Sequence, residues 1–427
     1  MKRQILGILP SMVILLGAFN CYNPSNGNGT GGEYEFAWRF LDIYFLFRES
    51  LPEDPYRFSS PVELYESVDE PYTVYHPPSE AKQMLQSLTT STGGLGVRLD
   101  SVPSGYVIDQ VFTNTPAREA GLKEGDTIIR VDGRSVAGVS PPEISELLQG
   151  DIGEEKRLVI KRGERQLEVT VTIDTFLAPS VFTDSLAPDI AYIYLSSFFS
   201  RTAVAGGTAE EFSSALQQTR WAQTIILDVR DNPGGEIGQA VQVISQFLRP
   251  STPIVQSTQR ALVPRSDSGI TVDTTWVTQE GFSDALQREL LVLVNENTAS
   301  AAEILVSSLK THRERITTIG DTTFGKARGQ AVSLTPDSAL AVVTYALLVP
   351  INGDSYDMEG ISPDVKVDEG EDALETALEL ARQRLALETS SESGFSCRKQ
   401  KLVRQMYSLE NRNPLAVIFE GISQNPK

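Results

Sequence analysis

Histidine and cysteine are the scarce residues of this 427-residue chain, which has two of each. His76, His312, Cys21 and Cys397 are far apart in sequence and have no metal-ligand spacing, so no metal and no cofactor is expected. A Ser-His-Asp hydrolase needs a histidine that reaches its serine, and neither histidine is well placed for one. His76 is flanked by Tyr75 and two prolines and reads as structural. No G-x-S-x-G elbow occurs. Basic charge is short as well: 37 Lys and Arg against 56 Asp and Glu leave a net charge of −19, which argues against nucleic-acid binding.

The length suggests two or three domains. The N-terminus stands apart. Lys2 and Arg3 precede the apolar run "ILGILPSMVILLGAF", which is too short to span a bilayer comfortably and reads as a signal segment over 1–20. Cys21 follows, then the polar spacer "YNPSNGNGTGG", so 21–35 reads as a flexible linker. A cysteine at this point resembles a bacterial lipoprotein cleavage site, although Ala18 and Asn20 stand where Leu and a small residue are usual. The resemblance implies lipidation at Cys21 and an exported protein on the periplasmic side of the envelope. The outer membrane is preferred, because Tyr22 is not the Asp associated with inner-membrane retention. A Cys21–Cys397 disulfide is the alternative.

Residues 36–90 read as a helical segment, with an apolar stripe in "AWRFLDIYFLFRESL" and helix-start chemistry in "PSEAKQML". Residues 91–176 change character. Short alternating strands such as "YVIDQVF" and "RLVIKRG" are broken by turns and by the helices "TPAREAGL" and "SPPEISELLQG". "GLKEGDTIIRVDGRSV" resembles the PDZ domain. Gly94, Leu95, Gly96 and Val97 fall where such domains carry their carboxylate-binding loop, a nest of backbone N–H groups for a peptide C-terminus. Residues 177–387 alternate near-continuous apolar strands with helices, the pattern of a buried, largely parallel α/β sheet. "EDALETALELARQRLALE" closes it as an amphipathic helix. A tail fills 388–427.

Ser300, in "NENTASAAEILVSSL", follows an apolar strand and begins a helix, so it reads either as a cap or as a nucleophile. His312 lies twelve residues along that helix, roughly 18 Å away, and is excluded as its base. A lysine serves as base if burial lowers its pKa, and Lys326 in "GDTTFGKARGQ" is the candidate, the alternative being an ordinary loop lysine. Ser307 and Lys310 form a competing S-x-x-K pair, without the S-D-N and K-T-G that normally accompany it. In "LDVRDNPGGEIG", a Gly-Gly turn after a strand aims backbone N–H groups at a ligand, or is simply a strand–helix turn.

Taken together, "LDVRDNPGG", "NENTASAAEI", "TTFGKARGQ" and "EGISPDV" resemble, in order and spacing, the C-terminal processing (tail-specific) serine peptidases. The PDZ-like segment and "EPYTVYHPPSEAKQML" fit as well, so the resemblance covers roughly 68–370. It implies an α/β multidomain protein with a ClpP/crotonase-like core and a Ser–Lys dyad of Ser300 and Lys326. Gln330 would orient the lysine, and an oxyanion hole would form from the N–H of Gly234 or Gly235 and that of Ala301. Arg328, where the family has glycine, is expected to help hold the Lys326 pKa down. The implied partners are proteins or peptides with free C-termini, and a homodimer is compatible with the resemblance. A non-catalytic peptide-binding protein on the same scaffold is the competing expectation.

Overall fold

The computed structural model describes residues 12–14, 31–87, 91–112, 114–262, 269–280, 283–368 and 370–387. Cys21 and Cys397 lie outside these residues, as do the tail after 387 and most of the expected signal segment. Within that segment Met12–Ile14 forms a strand parallel to Arg328–Leu334. The chain divides into two units, Met1–Ala373 and Leu374–Lys427. In the second, residues 374–387 are helical, as the amphipathic pattern predicts.

The N-terminal segment is helical, but its first helix runs Gly31–Tyr44, so the expected linker over 21–35 ends by residue 30. The cause is an apolar stripe at helical spacing. Ala37, Phe40, Leu41 and Tyr44 are buried against Ala341, Val343 and Tyr345 of the core. Two further helices, Pro61–Glu66 and Pro78–Ser87, flank the short strand Val74–His76. That strand pairs antiparallel with Leu340–Val342, which ties the segment into a core sheet.

Residues 97–172 form the β-rich module. Val97–Val102, Gly105–Val111, Thr127–Val131, Glu155–Arg162 and Arg165–Thr172 pair in that order. The helices Pro116–Glu119 and Pro141–Leu148 fall where their sequences predict. Alternation along Glu155–Arg162 turns Leu158 and Ile160 inward onto Ile108, Ile128 and Val171. The chain enters and leaves the module through two strands, Ser91–Gly94 and Asp174–Leu177, which pair with each other antiparallel.

The core has two six-stranded sheets where one was predicted. The first runs Val181–Ala187, Ile190–Leu195, Thr224–Asp228, Glu289–Val294, Ile316–Gly320 and Val365–Lys366, parallel except for its first pair. Its crossovers carry the helices Thr208–Gln218, Ile237–Ser245 and Ala301–His312. Successive strands lie side by side in chain order, so right-handed crossovers place these helices on one face. The second sheet is mainly antiparallel and contains Pro253–Leu262, Gly269–Val277, Arg328–Leu334 and Leu340–Pro350. "ALAVVTYALLV" belongs here. The strand Leu340–Pro350 is apolar save for Thr344 and Tyr345, and apolarity alone cannot tell it from a parallel strand. The helix Ala301–His312 is buried nearly all round, and Ser308 Oγ on it reaches Ile254 O of the second sheet.

Candidate active site

Parallel strands end on the same edge, and loops leaving that edge converge. Three of them build the site: 229–236 after Thr224–Asp228, 295–300 after Glu289–Val294, and 321–327 after Ile316–Gly320. Thr298 Oγ1 donates to Val229 O at 2.9 Å, the Ala299 N–H donates to Asn232 O at 2.9 Å, and the Phe324 N–H donates to Thr298 O at 2.9 Å. Each loop is therefore fastened to the middle one, which carries Ser300.

Ser300 precedes the helix Ala301–His312 with φ 60° and ψ −117°. A left-handed serine costs about 1–3 kcal/mol and persists only where its surroundings impose it. Its side chain is fully buried, and Oγ has no hydrogen-bond partner among the described residues. The constraint comes from Glu303, one turn along the helix and itself fully buried. Glu303 Oε2 accepts the N–H of Ser300 and the N–H of Lys326, each at 2.8 Å. Glu303 Oε1 accepts the Gly325 N–H at 2.7 Å and the Thr323 hydroxyl at 2.6 Å. One carboxylate thus holds the backbones of Ser300 and Lys326 side by side. Burial raises its pKa against the lowering pull of those four hydrogen bonds.

Lys326 is fully buried. Burial pushes its pKa down to about 7, against the opposing pull of Glu70 and Glu303. Nζ donates to Gln330 Oε1 at 2.7 Å and lies 5.1 Å from the centre of the Tyr72 ring. Gln330 Nε2 donates in turn to Tyr72 O at 3.0 Å. The structure thus places Gln330 against the lysine, and it brings Ser300 and Lys326 to one carboxylate without a hydrogen bond between their side chains.

The Gly-Gly turn packs directly on Ser300. A Cβ on Gly234, φ 104°, would lie 2.9 Å from Ser300 Cβ, Ala299 O and Ala301 N, and a Cβ on Gly235, φ 138°, would lie 2.2 Å from Phe198 O. Neither position admits a side chain. The two glycines differ in one respect that sequence left open. The Gly234 N–H already donates to Asn232 Oδ1 at 2.8 Å, whereas the N–H groups of Gly235 and Ala301 have no partner among the described residues. Gly234 therefore serves close approach, and the free donors beside Ser300 belong to Gly235 and Ala301.

Two expectations about charge are corrected. Arg328 is not a bare cation beside Lys326: it pairs with Glu70 at 2.9 Å and Asp357 at 2.8 Å, and burial accounts for the lysine's low pKa. The competing pair dissolves as well. Lys310 Nζ binds Asp364, Thr318 Oγ1 and Ser362 O, while Ser307 Oγ donates to Ile304 O. His312 lies against Pro253 O and His76 near Glu80, both in structural surroundings.

Sequence reasoning missed Glu303, Glu70 and Tyr72. Ser300-Ala-Ala-Glu303 spells a capping box, a signal that was available. Glu70 and Tyr72 lie in "EPYTVYHPPSEAKQML", which the family resemblance includes without giving either a role, and 258 residues separate them from Arg328 and Gln330. In the β-rich module, Gly94, Leu95, Gly96 and Val97 line one cavity of about 300 Å³, faced by Ile144, Leu148 and Phe176.

Residues 189–367 match peptidase family S41, and residues 107–162 match the PDZ domain. The chain is 28% identical over 313 residues to the carboxy-terminal processing protease CtpA of Bacillus subtilis, covering 71% of this chain and 62% of that protein. It therefore spans less than two thirds of the length of that relative. It is 27% identical to the carboxy-terminal-processing protease of Bartonella bacilliformis, covering 84% of this chain and 80% of that one. A putative S41 protease from Bacteroides fragilis shares the fold, with a TM-score of 0.54 at 17% identity over 82% of this chain and 92% of that chain.

Proposed function

We propose, from the premise that this chain belongs to peptidase family S41 and carries a PDZ domain, that it is a serine endopeptidase cleaving proteins at or near their C-termini. Ser300 is the nucleophile and Lys326 the general base. The observation that carries the reading is a fully buried lysine with its pKa lowered to about 7, tied through Glu303 to a strained serine whose hydroxyl has no partner among the described residues.

Neutral Lys326 takes the Ser300 proton as Oγ attacks the substrate carbonyl carbon. The oxygen left negative is met by the N–H groups of Gly235 and Ala301 and by the positive end of the helix beginning there. The Lys326 ammonium returns its proton to the departing amine. Water then hydrolyses the acyl-enzyme with the lysine again as base. Gln330 holds the amine in place, and Gly234 keeps the turn within contact of the serine. The PDZ groove at Gly94–Val97 takes the substrate's terminal carboxylate. Amidating that carboxylate weakens binding; unchanged affinity would remove the groove from the account.

The same reading makes the chain an exported protein anchored through lipid at Cys21. The basic start and short apolar run support it. Among the described residues no helix is long and apolar enough to cross a membrane. Mass spectrometry of the mature N-terminus tests it, and an unmodified Cys21 contradicts it.

Digestion of a denatured substrate by the intact protein, by Ser300→Ala and by Lys326→Ala tests the catalytic claim. The intact protein cleaves and neither variant does. Cleavage by either variant at the intact rate would remove the dyad.

A further inference from the structure

The Gly-Gly turn is held from behind by a segment that the catalytic chemistry does not use. Ser197 Oγ donates to Gly234 O at 2.7 Å, and the Phe198 N–H donates to the same oxygen at 2.9 Å. Phe198 O accepts the Glu236 N–H at 2.8 Å. The direction of the Gly235 N–H therefore follows the position of residues 197–199.

That segment is anchored in turn at Thr208, the fully buried first residue of the helix Thr208–Gln218. The Phe199 N–H donates to Thr208 Oγ1 at 2.9 Å. Thr208 Oγ1 lies 2.7 Å from Ser180 Oγ, and Ser180 Oγ donates to Glu211 Oε2 at 2.8 Å. The same carboxylate oxygen accepts the N–H groups of Ser180 at 2.6 Å and Val181 at 3.2 Å. Each hydroxyl has one proton to give. The Ser180 proton goes to the carboxylate, so the Thr208 proton is shared between Ser180 Oγ at 2.7 Å and Ser197 O at 3.3 Å, and a Thr208 lone pair is left for Phe199. The bonds from Phe199 through Thr208 and Ser180 run towards Glu211 and reinforce one another, and the Thr208 hydroxyl also reaches back to Ser197 O. Ser180 stands three residues past Leu177, the end of the strand whose Phe176 walls the PDZ groove.

We propose that Thr208 is a positioning residue. It fixes the Gly-Gly turn through Phe199 and links that turn to the strand leaving the PDZ domain. The catalytic consequence rests on the peptidase reading, since it takes Gly235 as an oxyanion donor; the positional link does not.

Thr208→Val keeps the shape and removes the hydroxyl, and Thr208→Ser restores it. Two quantities are read in the full chain: amide hydrogen exchange over residues 230–236 without substrate, and turnover of a peptide too short to reach the PDZ groove. Thr208→Val should raise exchange at the turn and lower kcat roughly tenfold with KM unchanged, and Thr208→Ser should return both towards the intact protein. Exchange confined to 199–212, with the turn as protected as before, would overturn the inference. So would a Thr208→Ser variant indistinguishable from Thr208→Val. An inactive intact protein would count against the peptidase reading alone, because the exchange result decides the positional link without it.

Discussion

Lys326 Nζ lies 2.7 Å from Gln330 Oε1, its one hydrogen bond among the described residues. Gln330→Glu places a negative charge at that contact and favours the ammonium. On the proposed reading Lys326, with its pKa lowered to about 7, sets the acid limb of kcat/KM, and that limb should move to higher pH, with about a tenfold loss below it for each unit it moves. Gln330→Ala should lower kcat without an upward shift. A limb that stays in place in Gln330→Glu would separate Lys326 from the rate.

Removing the charge of Glu70 tests the same limb in the opposite sense. Its charge raises the Lys326 pKa, so Glu70→Gln should move the limb to lower pH. Asp357 still pairs with Arg328 in that variant. A pH–rate profile checks the direction, and an upward shift contradicts it.

Glu303 accepts four donors from two loops, 295–300 and 321–327. Glu303→Ala leaves those donors unpaired in a buried place and should cost more than about 3 kcal/mol of stability. It should also lower kcat at least roughly a hundredfold, because Ser300 and Lys326 lose their common support. Denaturant unfolding and single-turnover kinetics on the folded fraction measure the two effects. A near-normal kcat in the folded fraction would make Glu303 a fold residue only.

Gly234→Ala brings a methyl to 2.9 Å from two backbone atoms and Ser300 Cβ, and should lower kcat by about two orders of magnitude. A methyl on Gly238, in the adjoining helix Ile237–Ser245, would meet nothing within 4 Å, so Gly238→Ala should keep full activity and gain up to about 1 kcal/mol. Equal kinetics in the two variants would contradict the close approach.

Burying Lys326 should weaken the fold. Its folded pKa, about 7, is below the ordinary value of 10.5, so between these values the unfolded chain binds more protons and stability rises with pH. The cost is complete below pH 7 and gone above about 10.5. Lys326→Met should therefore be more stable than the intact protein at pH 6, and the gap should narrow towards pH 10. Thermal unfolding across that range decides it, and a constant gap would mean that Lys326 is not neutralised by folding.

Much of this arrangement was legible in the residues. Apolar runs between helices marked the strands that lead to Asp228, Val294 and Gly320, and the small residues around Ser300 and the turn glycines marked close approach. The second sheet was not legible, because Leu340–Pro350 has a strand's apolarity and no sign of its partners. Glu70 and Tyr72 escaped for a related reason: they join Arg328 and Gln330 only after the N-terminal segment has packed. Arg328 misled because its charge is visible in sequence and the carboxylates that pair with it are not.

The central claim is that Ser300 is acylated with neutral Lys326 as its base. The most direct test is the pH dependence of acylation by an activated peptide ester, followed by rapid quench and mass spectrometry of the labelled peptide. The acyl group should appear on Ser300, at a rate that rises through pH 7 and levels off, and that falls by orders of magnitude in Lys326→Ala. A label on another residue, or an unchanged rate in Lys326→Ala, would contradict the account.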